Sequence, residues 1–177
     1  MPADVPGARR SRRVVSGAAL GLFCAVAGTA AATAHEPGAG QVVVRDEDRT
    51  VIARAPLPPS GRFALTYTHS YYGQPVEETF QVEGGGFRLV AVASPSEAVL
   101  DYYALDGQRS RDEGRWLLRA SSTPALEALP LVATDVGRRT LVVATVDGRD
   151  EEHPLYGGDG VPRHVVVDIE GRPRAPR

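Results

Sequence analysis

Residues 62–92, RFALTYTHSYYGQPVEETFQVEGGGFRLVAV, alternate apolar and polar side chains. That period of two suits a half-buried strand and does not suit an amphipathic helix. Phe63, Leu65, Tyr67 and His69 alternate with Ala64, Thr66, Thr68 and Ser70. A second run sets Val76, Glu78, Phe80 and Val82 against Glu77, Thr79, Gln81 and Glu83. Gly73-Gln74 between them suits a two-residue type II′ turn, because glycine reaches the positive φ required at its first position. Counting outward from that turn pairs His69 with Glu78, Tyr67 with Phe80 and Leu65 with Val82, and Ser70 with Glu77 on the other face. A slip of one residue would mix the two faces, so the clean sorting of side chains supports this register. Gly84-Gly85-Gly86 turns the chain again, and Phe87, Leu89 and Ala91 continue as a third strand.

This arrangement brings a histidine and a glutamate to the end of an apolar face. If that end is buried, each needs a polar partner, and each is the other's nearest candidate. Two roles follow. The pair either locks the hairpin, or it anchors a ligand in a pocket with Tyr67, Tyr71 and Tyr72 around it and Ser70 and Glu77 on the reverse face. His69, Ser70, Glu77 and Glu78 also supply the ingredients of a hydrolytic triad with His69 as base. Neighbouring residues on a strand point to opposite faces, which keeps Ser70 from the ring of His69, and no nucleophile-elbow motif is present. The sequence therefore predicts no catalytic residue, with a hydrolase kept as the alternative.

The remainder of the chain has the same character. Val42–Val44 and Thr50–Ala53 read as strands around a charged turn, Trp116–Leu118 and Leu141–Val146 as further strands, and Val165–Ile169 as the last. Asp147-Gly148 marks a hairpin. Ser94-Pro95-Ser96-Glu97 reads as a helix start with a capping box, and Thr123-Pro124 as the start of a short helix ended by Pro130. Short strands between Gly/Pro turns, with one or two helical turns, predict an all-β antiparallel sandwich or partly open barrel, as a single domain over residues 42–170. Residues 35–41 read as a linker and 171–177 as a disordered tail.

The first 34 residues differ. Arg9, Arg10, Arg12 and Arg13 precede an apolar, small-residue stretch that ends in Ala32-Thr33-Ala34. This is the layout of a signal peptide, with an uncleaved membrane anchor as the alternative. Cys24, the single cysteine of the 177 residues, lies inside it, so residues 35–177 can form no disulfide or thiolate metal site. Without the leader, sixteen arginines face twenty-one carboxylates, a formal charge of −5, and there is no lysine. An acidic domain with no basic block argues against nucleic acid or an anionic lipid surface as partner. His35, His69, His153 and His164 show no metal-ligand spacing, so neither a metal nor another cofactor is expected.

Tyr67-x-His69-Ser70, followed by Pro75-Val76-x-Glu78, resembles the signature of a bacterial family of small exported proteins, the "domain of unknown function eighteen-fifty". The likeness covers about thirty residues and rests on Tyr67, His69, Ser70, Pro75, Val76 and Glu78. After Ala93 the chain departs from the pattern, with Ser94-Pro95-Ser96-Glu97 where the family has a glycine-rich stretch. The resemblance implies an extracytoplasmic accessory domain of a tripartite ATP-independent (TRAP) solute transporter of the TAXI type. Its partner would be a membrane subunit or a solute-binding protein. A purely structural envelope domain is the remaining alternative.

Overall fold

A computed structural model describes residues 40–171. The expected signal peptide, most of the linker and all but the first residue of the tail lie outside them. Among the described residues eleven strands and one short helix follow one another. They are β1 (Gln41–Arg45), β2 (Val51–Pro56), β3 (Arg62–Thr68), β4 (Pro75–Glu83), β5 (Gly86–Ser94) and α1 (Glu97–Tyr102). Then come β6 (Gly107–Asp112), β7 (Arg115–Ala120), β8 (Ala128–Ala133), β9 (Thr140–Ala144), β10 (Asp150–Pro154) and β11 (Arg163–Glu170). Two antiparallel sheets result, one of order β2-β1-β11-β8 and one of order β10-β9-β3-β4-β5-β7-β6. This is the expected all-β, sandwich-like fold, and neither sheet closes into a barrel. Among the described residues no helix is long and apolar enough to cross a membrane.

Alternation decides which side chains meet. Val42, Val44, Val165, Val167 and Ile169 of the smaller sheet pack against Phe63, Leu65, Phe80, Val82, Leu141 and Val143 of the larger. Phe63 stacks on Phe80 at 5.1 Å, and both meet Phe87 edge-on. The larger sheet extends past this core. There α1 covers its inner face, burying Val99 and Leu100 against Val76, Val92 and Leu118. A helix of six residues is not stable alone. It has no side-chain cap, and packing together with the ion pair from Arg109 to Asp101 at 2.7 Å holds it in place.

The central hairpin keeps the expected faces but not the expected register. Leu65 pairs with Glu78 and Tyr67 with Val76, so each β3 residue meets a partner four positions earlier in β4 than the II′ turn requires. The loop is Ser70–Gly73, closed by bonds between His69 and Gln74 (2.8 Å) and between Gly73 and His69 (2.7 Å). The longer loop lets Phe63 sit opposite Phe80. A shift by an even number leaves every side chain on its own face, so the apolar pattern alone cannot distinguish the two registers. The next turn does have two residues: Gly84 and Gly85, both at positive φ, join β4 to β5.

Two other expectations need correction, and one strand was not expected. No helix follows Thr123-Pro124. Leu126 bridges to Phe87, and β8 runs through Pro130, with Leu129, Leu131 and Ala133 turned to the core. The proline is tolerated because β8 is an edge strand. The polar stretch Gly107–Asp112 forms an exposed edge strand, β6, joined to β7 through Glu113-Gly114. The linker's last residues belong to the sheet: β1 begins at Gln41, and the Gly40 carbonyl accepts from the Leu57 amide at 2.9 Å.

Candidate functional site

The new register separates His69 from Glu78. Glu78 lies on the inner face between Leu65 and Val92, where the main core meets the smaller core under α1. A carboxylate in that position must be satisfied locally. Tyr103, just after α1, donates to Glu78 Oε1 at 2.5 Å, and Tyr67 of β3 donates to the same oxygen at 3.1 Å. The two phenol oxygens also touch each other. Each phenol has one proton, so Tyr103 commits its own to the carboxylate while Tyr67 shares its own between Glu78 and Tyr103. On the other side, Arg139 Nη1 lies 3.8 Å from Glu78 Oε2, and its guanidinium lies over the Tyr67 ring at 4.2 Å. Burial, and then the Glu78 charge, push the Tyr67 hydroxyl up to about 12, and the same causes in the same order push Tyr103 up. The cluster therefore keeps both phenols protonated above pH 10, where an unperturbed tyrosine ionises, and it ties β3, β4, the end of α1 and the residue before β9 together.

His69 lies beyond the end of β3, where the loop leaves the sheet. It is 5% exposed. Its Nδ1 accepts from the amides of Tyr71 (3.3 Å) and Tyr72 (3.5 Å), which places the ring proton of the neutral form on Nε2. Tyr72 packs on the ring at 5.1 Å and Tyr102 meets it edge-on at 4.7 Å. Tyr71 in turn packs edge-on to Tyr72 at 4.9 Å. Tyr71 is 80% exposed and Tyr102 67% exposed. The hairpin tip is thus an aromatic knob: a buried imidazole beneath, two outward tyrosines above.

The remaining predicted residues fall elsewhere. Ser70 is exposed in the loop, and Glu77, on the outer face, is paired with Arg115 at 2.9 Å. No Ser–His–Glu relay forms, because the nitrogen of His69 that a carboxylate would orient is occupied by two backbone amides. Among the described residues no group of three or more His, Cys, Asp or Glu could hold a metal ion. Sequence reasoning did not bring Tyr102, Tyr103 or Arg139 into the site. The Asp101-Tyr102-Tyr103 run stands out as a second polar aromatic cluster, but only the fold of α1 over the sheet joins it to the hairpin. Nothing in the linear pattern marks Arg139. Compared with known proteins, the chain matches no family model, no curated protein and no solved structure.

Proposed function

We propose that the chain is an exported binding module that docks a protein partner on the aromatic tip of its central hairpin. The observation that carries this reading is the exposure of Tyr71 and Tyr102 around a buried His69 whose Nδ1 accepts from the Tyr71 and Tyr72 amides. Tyrosines on a rigid support give apolar contact area at low entropic cost and keep a hydroxyl free for hydrogen bonding, which is why they recur at interfaces. Two features support the setting. The basic and then apolar first 34 residues favour an extracytoplasmic location. The Tyr67-x-His69-Ser70 and Pro75-Val76-x-Glu78 likeness favours a TRAP-type transporter, through its membrane subunit or its solute-binding protein. The hydrolase alternative has no comparable support, since Glu78 is held by the tyrosines and His69 by the backbone.

The test is capture from detergent-solubilised envelope, with a tagged protein as bait and mass spectrometry as the readout. The wild-type bait should enrich a transporter subunit, and a Tyr71→Ser/Tyr102→Ser bait of unchanged fold should not. Equal enrichment by both baits would move the interface away from the tip, and enrichment of no transporter component would remove the proposed partner.

A further inference from the structure

A concave surface lies on the outer face of the larger sheet. It is a groove of about 530 Å³ whose lining includes Thr66, Thr68, Pro75, Glu77, Arg115 and Arg138. The strand register builds its floor. Thr66 lies beside Glu77 on one side and Thr140 on the other, and Thr68 lies beside Pro75. The Thr68 amide donates to the Gly137 carbonyl at 2.7 Å, which brings Arg138 alongside. Arg138 sits at φ 50°, a left-handed conformation that costs energy for a side chain of its size and persists only where neighbours enforce it. Here they do: its amide donates to the Thr134 carbonyl at 2.8 Å, and its carbonyl accepts from Thr140 Oγ1 at 3.1 Å.

The groove's charges do not cancel. Arg115 is neutralised by Glu77 at 2.9 Å. The Arg138 guanidinium has no acidic or hydrogen-bonding partner among the described residues, and neither do the hydroxyls of Thr66 and Thr68. One uncompensated positive charge thus stands next to two unused hydroxyls on a rigid strand floor. The volume lies in the range of small-molecule sites and is far larger than a bare ion needs. The nearby Glu77 carboxylate weighs against a doubly charged anion, and Pro75 supplies an apolar wall. We propose that the groove binds a small organic monoanion, its carboxylate held by Arg138 with Thr66 and Thr68 as hydrogen-bond donors, a site distinct from the tyrosine tip.

Titration calorimetry in a carboxylate-free buffer tests this on the whole protein, with benzoate, butyrate and 3-hydroxybutyrate as probes and benzamide as the uncharged counterpart of benzoate. At least one carboxylate should bind saturably and benzamide should not. Arg138→Gln should weaken that binding at least about tenfold, the size expected for a charge-assisted contact, and Thr68→Val by a smaller factor. Tyr71→Ser/Tyr102→Ser should leave it unchanged, so that failure of the groove and failure of the tip can be told apart. Absence of saturable binding by all three carboxylates, equal binding of benzamide, or an unchanged affinity in Arg138→Gln would each overturn the proposal.

Discussion

Replacing Glu78 by Gln tests whether the polar cluster between the two cores depends on charge. The amide keeps the shape and can still accept from Tyr67 and Tyr103, but both hydrogen bonds lose their charge assistance. A bond to a charged group contributes about 1.5–3 kcal/mol and a neutral one about 0.5–1.5, so each loses about 1 kcal/mol. The Arg139 pairing at 3.8 Å is partly solvated and adds no more than a few tenths. The total is about 2 kcal/mol. With a urea slope of about 1.5 kcal/mol per molar for a domain of this size, the unfolding midpoint should fall by about 1.3 M at unchanged slope. A second readout separates charge from shape. The Glu78 charge helps hold Tyr67 at about 12, so that phenol should ionise at lower pH in the variant, as read by ultraviolet absorbance. A midpoint within about 0.3 M of wild type, together with an unmoved tyrosine titration, would refute the reasoning, because neither bond would then draw on the charge.

Three further outcomes are expected. Alkaline stability should fall between pH 10 and about 12, because the unfolded chain gives up the Tyr67 proton near pH 10 while the native state keeps it to about 12. Tyr103 acts in the same direction, and for the part-exposed Tyr67 the loss, discounted for solvent screening, is about 1 kcal/mol; flat stability over that window in denaturant titrations would contradict the cluster. His69→Ala removes the acceptor of the Tyr71 and Tyr72 amides and the ring beneath Tyr102, and should cost about 1–3 kcal/mol in urea unfolding; no loss would mean that the tip does not depend on the imidazole. Gly107→Ala places a Cβ 2.1 Å from the Arg119 carbonyl oxygen, so β6 must move, and thermal unfolding should report about 1–3 kcal/mol of destabilisation, against nearly none if that close approach is relaxed in solution.

Period-two patterning identified the fold class, the buried face of the central hairpin and most of the strands, because those features depend only on which side chains are apolar. It could not identify the register. Two registers that differ by an even number of residues sort Leu65, Tyr67, Phe80 and Val82 onto the same face, and the choice between them fell to the stacking of Phe63 on Phe80 and to a longer loop. The site followed the register. Tyr67, Glu78 and His69 were recognisable as polar groups at the end of an apolar face, but beyond the Tyr67–Glu78 bond and the local amides on His69, their partners are Tyr103, Arg139 and Tyr102, far away in sequence. The β8 segment departs from its sequence pattern for a local reason: Thr-Pro before a short apolar run looks like a helix start, whereas Leu129 and Leu131 alternate toward the core of an edge strand. Of the residues on which the expected resemblance rests, Tyr67, Val76 and Glu78 are engaged inside the domain, at the joint between the two cores.

The most direct test of the binding account is the affinity of the purified protein for the captured transporter component, measured side by side for wild type, Glu78→Gln and Tyr71→Ser/Tyr102→Ser. If the aromatic tip is the working surface, the double tyrosine variant should bind at least about tenfold more weakly while remaining cooperatively folded, with a midpoint lowered only by the lost ring contacts to His69 and Tyr72, since an aromatic hot spot contributes about 2 kcal/mol or more. Glu78→Gln, which weakens the interior and leaves the tip exposed, should bind within about twofold of wild type, a difference of less than about 0.5 kcal/mol. The reverse pattern, with full binding by the tyrosine variant, would contradict the account and leave the tip as the closure of a structural hairpin.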